Sequence, residues 1–162
     1  MSIRLIVKEP DPVLREVAKE VTKFNPNLKK LLKDMAETMY DAEGVGLAAP
    51  QVGISKRVIV VDVRDENGLV EMVNPVIVEQ SGEQVGPEGC LSIPNLNGEV
   101  KRADRIVVAG QNSDGEPITI EASGFFARAF QHEIDHLNGI LFTDIALNVY
   151  DISELARKGG ES

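Results

Sequence analysis

Hydrophobic residues in the first part of the chain recur at the spacing of α-helices. The clearest helix follows Asn25, which can cap it, and Pro26, which suits a first turn. Its apolar positions predict a face that packs on a sheet, and they are Leu28, Leu31, Leu32, Met35 and Met39. Gly44 is expected to end this helix. The same capping pattern at Asp11-Pro12 predicts a shorter helix that runs towards Lys19.

The hydrophobic period changes to two after Gly53, which indicates β-strands. Runs rich in β-branched residues extend from Arg57 to Val63, Leu69 to Glu79 and Arg105 to Gly110. Asn67-Gly68 and Asp114-Gly115 separate such runs and are strong hairpin signals, so the pairing should be antiparallel. Residues 81–100 contain so many glycines and prolines that the sequence predicts an irregular loop with short strand pieces.

A second long helix is predicted from about Gly124 to Asn138, with Ser123 as its cap and Gly139 at its end. Its apolar face consists of Phe126, Phe130, Ile134 and Leu137. The tail from Thr143 contains a predicted short helix, Ile152 to Arg157, before an end that should fray.

These elements predict an α+β fold in which antiparallel β-sheets pack around a central helix, the second long one. A single domain should span residues 1–162, with about residues 145–162 as its C-terminal tail. The 43% hydrophobic content suits a soluble globular protein of this size. A net charge of -9 argues against a dedicated nucleic-acid binder. No segment has the features of a signal peptide or a membrane-spanning helix.

Two histidines, His132 and His136, stand four residues apart on the second long helix, and Glu133 follows the first of them. Four residues make slightly more than one helical turn, so both imidazoles project from one face and can share a metal ion. Glu133 can then reach a water on that metal. Chance alone would produce this H-E-x-x-H pattern on the order of once in a thousand such chains, which favours a metal site.

A catalytic metal usually takes three protein ligands and leaves one position for water, so the two histidines need a third partner. The chain has only these two histidines, which leaves a downstream acid or a cysteine. Asp144 is the best placed acid. Cys90 is the single cysteine, and it cannot form an internal disulfide. We favour Cys90, because a thiolate with two imidazoles suits Zn²⁺ or Fe²⁺.

The segment Gly44 to Gln51 is rich in small residues but lacks the lysine and hydroxyl residue of a phosphate-binding loop. Its glycines and alanines would let a peptide backbone approach closely, and the Gln51 amide could donate to a developing oxyanion. A helix stop followed by a tightly packed turn is the alternative that the segment alone leaves open.

Three segments together resemble the peptide deformylase family. The family motifs G-x-G-x-A-A-x-Q, E-G-C-x-S and H-E-x-x-D-H match, in this order, Gly44 to Gln51, Glu88 to Ser92 and His132 to His136. The resemblance implies a metal-binding hydrolase of protein biosynthesis and N-terminal methionine processing. Such enzymes remove the formyl group from the N-terminal formyl-methionine of newly synthesised proteins and release formate. The expected location is the bacterial cytoplasm, or an organelle if a transit peptide has been removed.

The resemblance also implies roles for individual residues. The metal ligands would be Cys90, His132 and His136, holding Fe²⁺ in cells, with Zn²⁺, Ni²⁺ or Co²⁺ as substitutes. The catalytic groups would be Glu133 as general base and, for the oxyanion, Gln51 and the backbone N–H of Leu91. Backbone groups for the substrate chain would come from Val45, Gly46 and Gly89. The pocket for the methionine side chain would be lined by Phe125, Arg128, Ala129 and His132.

Some positions around these motifs allow more than one interpretation. Arg128 stands where related enzymes often have an apolar residue, so it could point to solvent or contact substrate. Glu88, Arg102 and Asp135 could form a carboxylate–guanidinium network that fixes the cysteine segment against the helix. An ordinary surface ion pair is the alternative for these three residues.

Two rival functions are a metal-dependent endopeptidase and a binding module whose metal only clips the Cys90 segment to the helix. Structural zinc sites normally have four protein ligands, and only three good ones are visible, which disfavours the binding module. The expected partners are formylated N-termini of nascent polypeptides, with no nucleic-acid site and no membrane. A transient ribosome contact stays open, although Ile152 to Lys158 has only Arg157 and Lys158 as basic residues. Docking through this short tail is therefore disfavoured.

Overall fold

Two antiparallel β-sheets pack around one central helix in a computed structural model, which describes residues 3–152. Within these residues the helices are α1 (Pro26–Asp41), α2 (Gly124–Leu137) and α3 (Phe142–Ile145). The strands of one sheet are β1 (Gly46–Ala48), β2 (Val58–Val61), β3 (Val70–Ser81), β6 (Arg105–Gln111) and β7 (Pro117–Ser123), in that order. The strands of the other are β4 (Gln84–Cys90), β5 (Ile93–Arg102) and β8 (Asn148–Asp151). The predicted α+β class is confirmed.

The predicted helix after Asn25 is confirmed as α1, and the Asn25 side chain accepts a hydrogen bond from the Leu28 N–H at 3.1 Å. It ends before Gly44, because the backbone already turns at Glu43, which adopts a positive φ of 59°. The helix predicted towards Lys19 is shorter than expected and consists of one 3₁₀ turn, Pro12–Arg15.

Both predicted hairpins are present in the five-stranded sheet. β2 pairs with β3 in antiparallel register, with Val58 opposite Val73, and β6 pairs with β7 in the same sense. The β-branched side chains of β2 are completely buried, as expected for a strand covered on both faces. Among the strands of this sheet, β1 makes the most extensive contact with the central helix.

The prediction of an irregular loop over residues 81–100 is wrong. β4 and β5 form an almost continuous antiparallel hairpin there. A side chain at Gly98 would lie 2.6 Å from the Asn148 carbonyl oxygen, so this glycine allows β8 to approach rather than breaking the strand. Pro87 lies on β4, which is an edge strand, the position in a sheet where proline is tolerated.

The first residues of the predicted C-terminal tail belong to elements of the fold. α3 follows the central helix, and β8 then adds to the second sheet, with Val149 opposite Gly98 of β5. No strand signal marks these four residues, because their pairing is backbone to backbone. The short helix predicted over residues 152–157 lies beyond the described residues, apart from its first position.

The central helix α2 confirms the second long prediction. Ser123 is its N-cap by position, although its side chain accepts no capping hydrogen bond. The predicted apolar face is buried in the core: Phe126, Phe130, Ile134 and Leu137. Arg57 holds the other end, donating to the Leu137 carbonyl oxygen at 2.9 Å and so satisfying a carbonyl that the helix leaves free. Among the described helices, none is long and apolar enough to cross a membrane.

Candidate active site

The predicted metal ligands come from two elements that meet in space. Cys90 ends β4, whereas His132 and His136 lie one turn apart on α2. One potential ligand atom from each lies within 4.8 Å of the others, and the Cys90 Sγ is 3.3 Å from the His136 Nε2. Asp144, the alternative third ligand, lies elsewhere and pairs with Arg15. The geometry therefore brings together one thiol and two imidazoles.

The chemistry of this donor set fits a divalent metal. Burial lowers the pKa of His136 well below its ordinary value, which keeps the imidazole neutral and able to ligate. Burial opposes the charged form of His132 as well, but Glu133 and Cys90 outweigh it and raise the pKa of His132 well above its ordinary value. The groups that raise this pKa thus favour a positive charge at His132. A bound metal cation would supply that charge in place of the proton. Thiolate and imidazole donors suit Zn²⁺ and Fe²⁺.

Glu133 is a buried carboxylate beside the two histidines. The residue is 4% exposed, and its Oε1 has no hydrogen-bond partner among the described residues. Burial raises the pKa of Glu133 to about 7, so the group can take up and release a proton near neutral pH. Its other oxygen faces Gly46, where an added Cβ would lie only 2.5 Å from Oε2. The absence of a side chain at Gly46 makes room for this carboxylate.

The Gln51 side chain is held in one orientation by its neighbours. Its Oε1 accepts from the Ala48 backbone N–H at 3.0 Å, which leaves the amide nitrogen facing the cysteine. The Nε2 donates to Ser92 Oγ at 3.2 Å and lies 3.5 Å from Cys90 Sγ. Leu91 directly follows Cys90 at the turn between β4 and β5. An amide donor and a turn backbone therefore flank the thiol.

Glu88 lies behind His132 and accepts from several donors. Its Oε1 is 2.8 Å from the His132 Nδ1, and Arg102 binds both carboxylate oxygens, at 2.8 and 2.9 Å. Asp135 holds the same guanidinium from α2. Burial acts to raise the pKa of Glu88, but Arg102 and His132 hold that pKa well below its usual range. The surface-pair alternative is wrong, because the Glu88 and Arg102 side chains are 4% and 5% exposed.

A cavity of about 450 Å³ opens beside these groups. The residues predicted to bind substrate all border it, and they are Val45, Gly46, Gly89, Phe125, Arg128 and Ala129. Phe125 is half exposed at the rim, whereas Arg128 and Ala129 are buried. Arg128 does not point to solvent, since its guanidinium is bonded to Glu88.

Two residues near the site escaped the sequence predictions. Ser92 is completely buried and accepts from Gln51, yet only its place in the E-G-C-x-S motif hinted at a role. Asn97 borders the cavity from β5, and its Oδ1 lies 2.5 Å from the position of a Cβ on Gly89. No local pattern marks Asn97, because its proximity results from the β4–β5 pairing.

A helix that carries H-E-x-x-H between two antiparallel sheets, with a thiol brought up to its imidazoles, defines the class of metal-dependent hydrolases. The family model described as polypeptide deformylase matches residues 3–150. The chain belongs to the peptide deformylase family, and its activity is the metal-dependent removal of the formyl group from N-terminal formyl-methionine.

Relatives and solved structures agree with this assignment. The chain is 56% identical over 155 residues to peptide deformylase 1 of Bacillus cereus, covering 96% of this chain and 99% of the relative. It is 55% identical over 158 residues to the peptide deformylase of Acetivibrio thermocellus, covering 98% and 92%. The crystal structure of peptide deformylase from Thermotoga maritima superposes with a TM-score of 0.88 at 50% identity, covering 91% of this chain and 100% of that one.

Proposed function

We propose that Cys90, His132 and His136 hold one divalent metal ion, which is Fe²⁺ in cells. The convergence of their three donor atoms within 4.8 Å is the observation that supports this most directly. Three protein ligands leave a position for water or substrate, as a catalytic site requires. When bound, the ion would polarise the formyl carbonyl and lower the pKa of a bound water. Zn²⁺, Ni²⁺ or Co²⁺ would substitute in purified protein.

The residues around the donors supply the remaining steps of formyl hydrolysis. Glu133 takes the proton of the attacking water and then returns it to the leaving amine. The Gln51 amide and the Leu91 backbone N–H donate to the oxyanion that develops on the formyl oxygen. The fixed orientation of Gln51 on Ala48 supports this role, because its NH₂ group already faces the thiol.

The cavity and its backbone rim suit an extended peptide with a methionine at its N-terminus. We propose that Val45, Gly46 and Gly89 bind the peptide backbone, while Phe125, Arg128 and Ala129 border the space for the methionine side chain. The chain would act as a single catalytic domain in the bacterial cytoplasm on nascent polypeptides, with at most a transient ribosome contact. Bacterial relatives of nearly equal length support the location and the domain assignment.

Formate release should depend on the formyl group itself. Protein purified without oxygen should release formate from formyl-Met-Ala-Ser and leave acetyl-Met-Ala-Ser intact, because a formyl carbon carries only hydrogen and is therefore less hindered and more electrophilic than an acetyl carbon. Formate and free amine are measured on samples of known metal content. Metal-loaded protein that released no formate would refute the assignment, and internal cleavage of an unformylated peptide would favour the endopeptidase.

The Gly46→Ala substitution should lower kcat strongly. Its Cβ would lie 2.5 Å from the Glu133 Oε2 and 2.9 Å from the Glu133 Cγ, so the carboxylate must move. A shift of about 1 Å at a catalytic group can cost about 10²-fold in rate. Steady-state formate release measures the loss.

A double-mutant cycle distinguishes a displacement of the Glu133 carboxylate from a general disturbance of the active site. In a Glu133→Ala background the carboxylate is already absent, so adding Gly46→Ala should cost little more. Equal losses in the two backgrounds would show that Gly46 acts on something other than Glu133.

A further inference from the structure

Arg128 occupies an unexpected place between the central helix and the hairpin that carries the cysteine. Its side chain is 5% exposed, and its Nη1 donates to the Glu88 Oε2 at 2.6 Å. The same nitrogen contacts the Val100 carbonyl oxygen at 3.1 Å and the Gly86 carbonyl oxygen at 3.3 Å. Its Nε donates to the Gln84 side chain at 3.2 Å. One side chain of α2 thus contacts both β4 and β5.

The space for this guanidinium exists because residue 86 is a glycine. A Cβ at Gly86 would lie 3.2 Å from the Arg128 Nη2 and 3.5 Å from its Cζ. A branched side chain at this position would exclude the guanidinium from its present place. The place of the Arg128 guanidinium therefore depends on the small size of residue 86.

We propose that Arg128 is a positioning residue, which holds Glu88 and the β4–β5 hairpin so that Cys90 meets the two histidines of α2. This inference rests on the metal site proposed above. It goes beyond that site because Arg128 is assigned a second role, which acts through Glu88 in addition to its place at the border of the cavity.

Arg102 and Arg128 contact Glu88 from different sides. Arg102 also binds Asp135, so its guanidinium is shared between two carboxylates. Arg128 contacts Glu88 from the side of the Gly86 and Val100 carbonyl groups, which are part of the hairpin itself. Because α2 supplies two ligands and β4 the third, a bond that joins these elements sets the distance between the ligands.

The test compares Arg128→Met and Arg128→Lys with the unchanged protein and uses Co²⁺ as the probe. Co²⁺ affinity is measured by competition with a chromophoric chelator, and the visible spectrum of the Co²⁺ protein reports ligand geometry. Methionine should lower the affinity by about 10- to 100-fold, the range found when groups that orient metal ligands are lost. It should also change the spectrum, and kcat should fall, while KM for formyl-Met-Ala-Ser changes by less than about twofold.

The Arg128→Lys variant distinguishes the effect of the guanidinium geometry from the effect of its positive charge. It keeps the positive charge but cannot span Glu88 and the hairpin carbonyl groups as a guanidinium does. The affinity should therefore fall for lysine too. Full affinity with lysine would mean that charge alone matters, and a raised KM with unchanged Co²⁺ binding would leave Arg128 with no role beyond bordering the methionine pocket. Either result would overturn the proposal.

Three further variants serve as controls. Arg105→Met removes an arginine whose partner is the exposed Glu121, so Co²⁺ binding should not change. Gly86→Val places a branched side chain against the guanidinium and displaces it without removing any charge, so it should change the Co²⁺ spectrum in the same direction as methionine, even if the methionine variant does not fold. An unchanged spectrum in Gly86→Val and in folded Arg128→Met would refute the role. If Cys90→Ala bound Co²⁺ as tightly as the unchanged protein, the metal site itself would be refuted instead.

Discussion

Replacing Glu133 by glutamine should lower kcat by about 10²- to 10⁴-fold, the range expected for loss of general acid–base catalysis. Glutamine has nearly the same shape but cannot accept the proton of the attacking water. Glu133 is 4% exposed and its Oε1 has no hydrogen-bond partner among the described residues, so no described group at that oxygen could act as a substitute base. Because Glu133 is not among the three converging donors, the metal should remain bound.

The measurement combines formate release with metal analysis of the same samples. Glu121→Gln serves as the matched control, since this carboxylate is exposed on β7 and pairs only at the surface with Arg105. Its kcat should equal that of the unchanged protein. Loss of metal together with activity in Glu133→Gln would make Glu133 a ligand. Full activity in that variant would place the base elsewhere.

Replacing Glu88 by alanine should lower the free energy of unfolding by about 3–5 kcal/mol, because it removes one partner of a buried ion pair. Arg102 and Arg128 would then lie buried without the carboxylate that both of them contact. The His132 Nδ1 would also lose its acceptor. Metal affinity should fall by about 10- to 100-fold, since the ring that ligates the metal is no longer oriented.

Urea unfolding and metal competition measure the two effects. Glu83→Ala is the matched control, because Glu83 pairs with Lys101 at 3.0 Å beside the same hairpin, with side chains 70% and 54% exposed. Exposed pairs contribute about 0–1 kcal/mol, so this control should remain nearly as stable as the unchanged protein. Equal losses for Glu88→Ala and Glu83→Ala would contradict the role of the buried network.

Local periodicity was sufficient to predict those elements whose structure depends mainly on their own residues. The cap at Asn25, the apolar face of α2 and the hairpin signal at Asp114-Gly115 all lie in elements that the structure confirms. The H-E-x-x-H spacing also specifies that His132 and His136 share one face, since helical geometry alone places them there.

Glycine and proline misled the prediction where they serve a distant contact. Gly98 allows the approach of β8, which lies about fifty residues further along the chain, and Pro87 sits on an edge strand. A sequence window around either residue resembles a loop. The hairpin exists because backbone groups of β4, β5 and β8 satisfy one another, and this pairing depends little on side-chain pattern.

The sequence by itself determined the class of fold, the family motifs and the pair of imidazoles, because each depends on residues close together in the chain. Only the tertiary structure decided that Cys90 lies 3.3 Å from His136 and that Arg128 turns inward to Glu88. The reason is physical: a charged side chain can be buried only where its partners are, and here those partners lie on another element. Burial and long-range pairing are properties of the packed chain, which no local pattern contains.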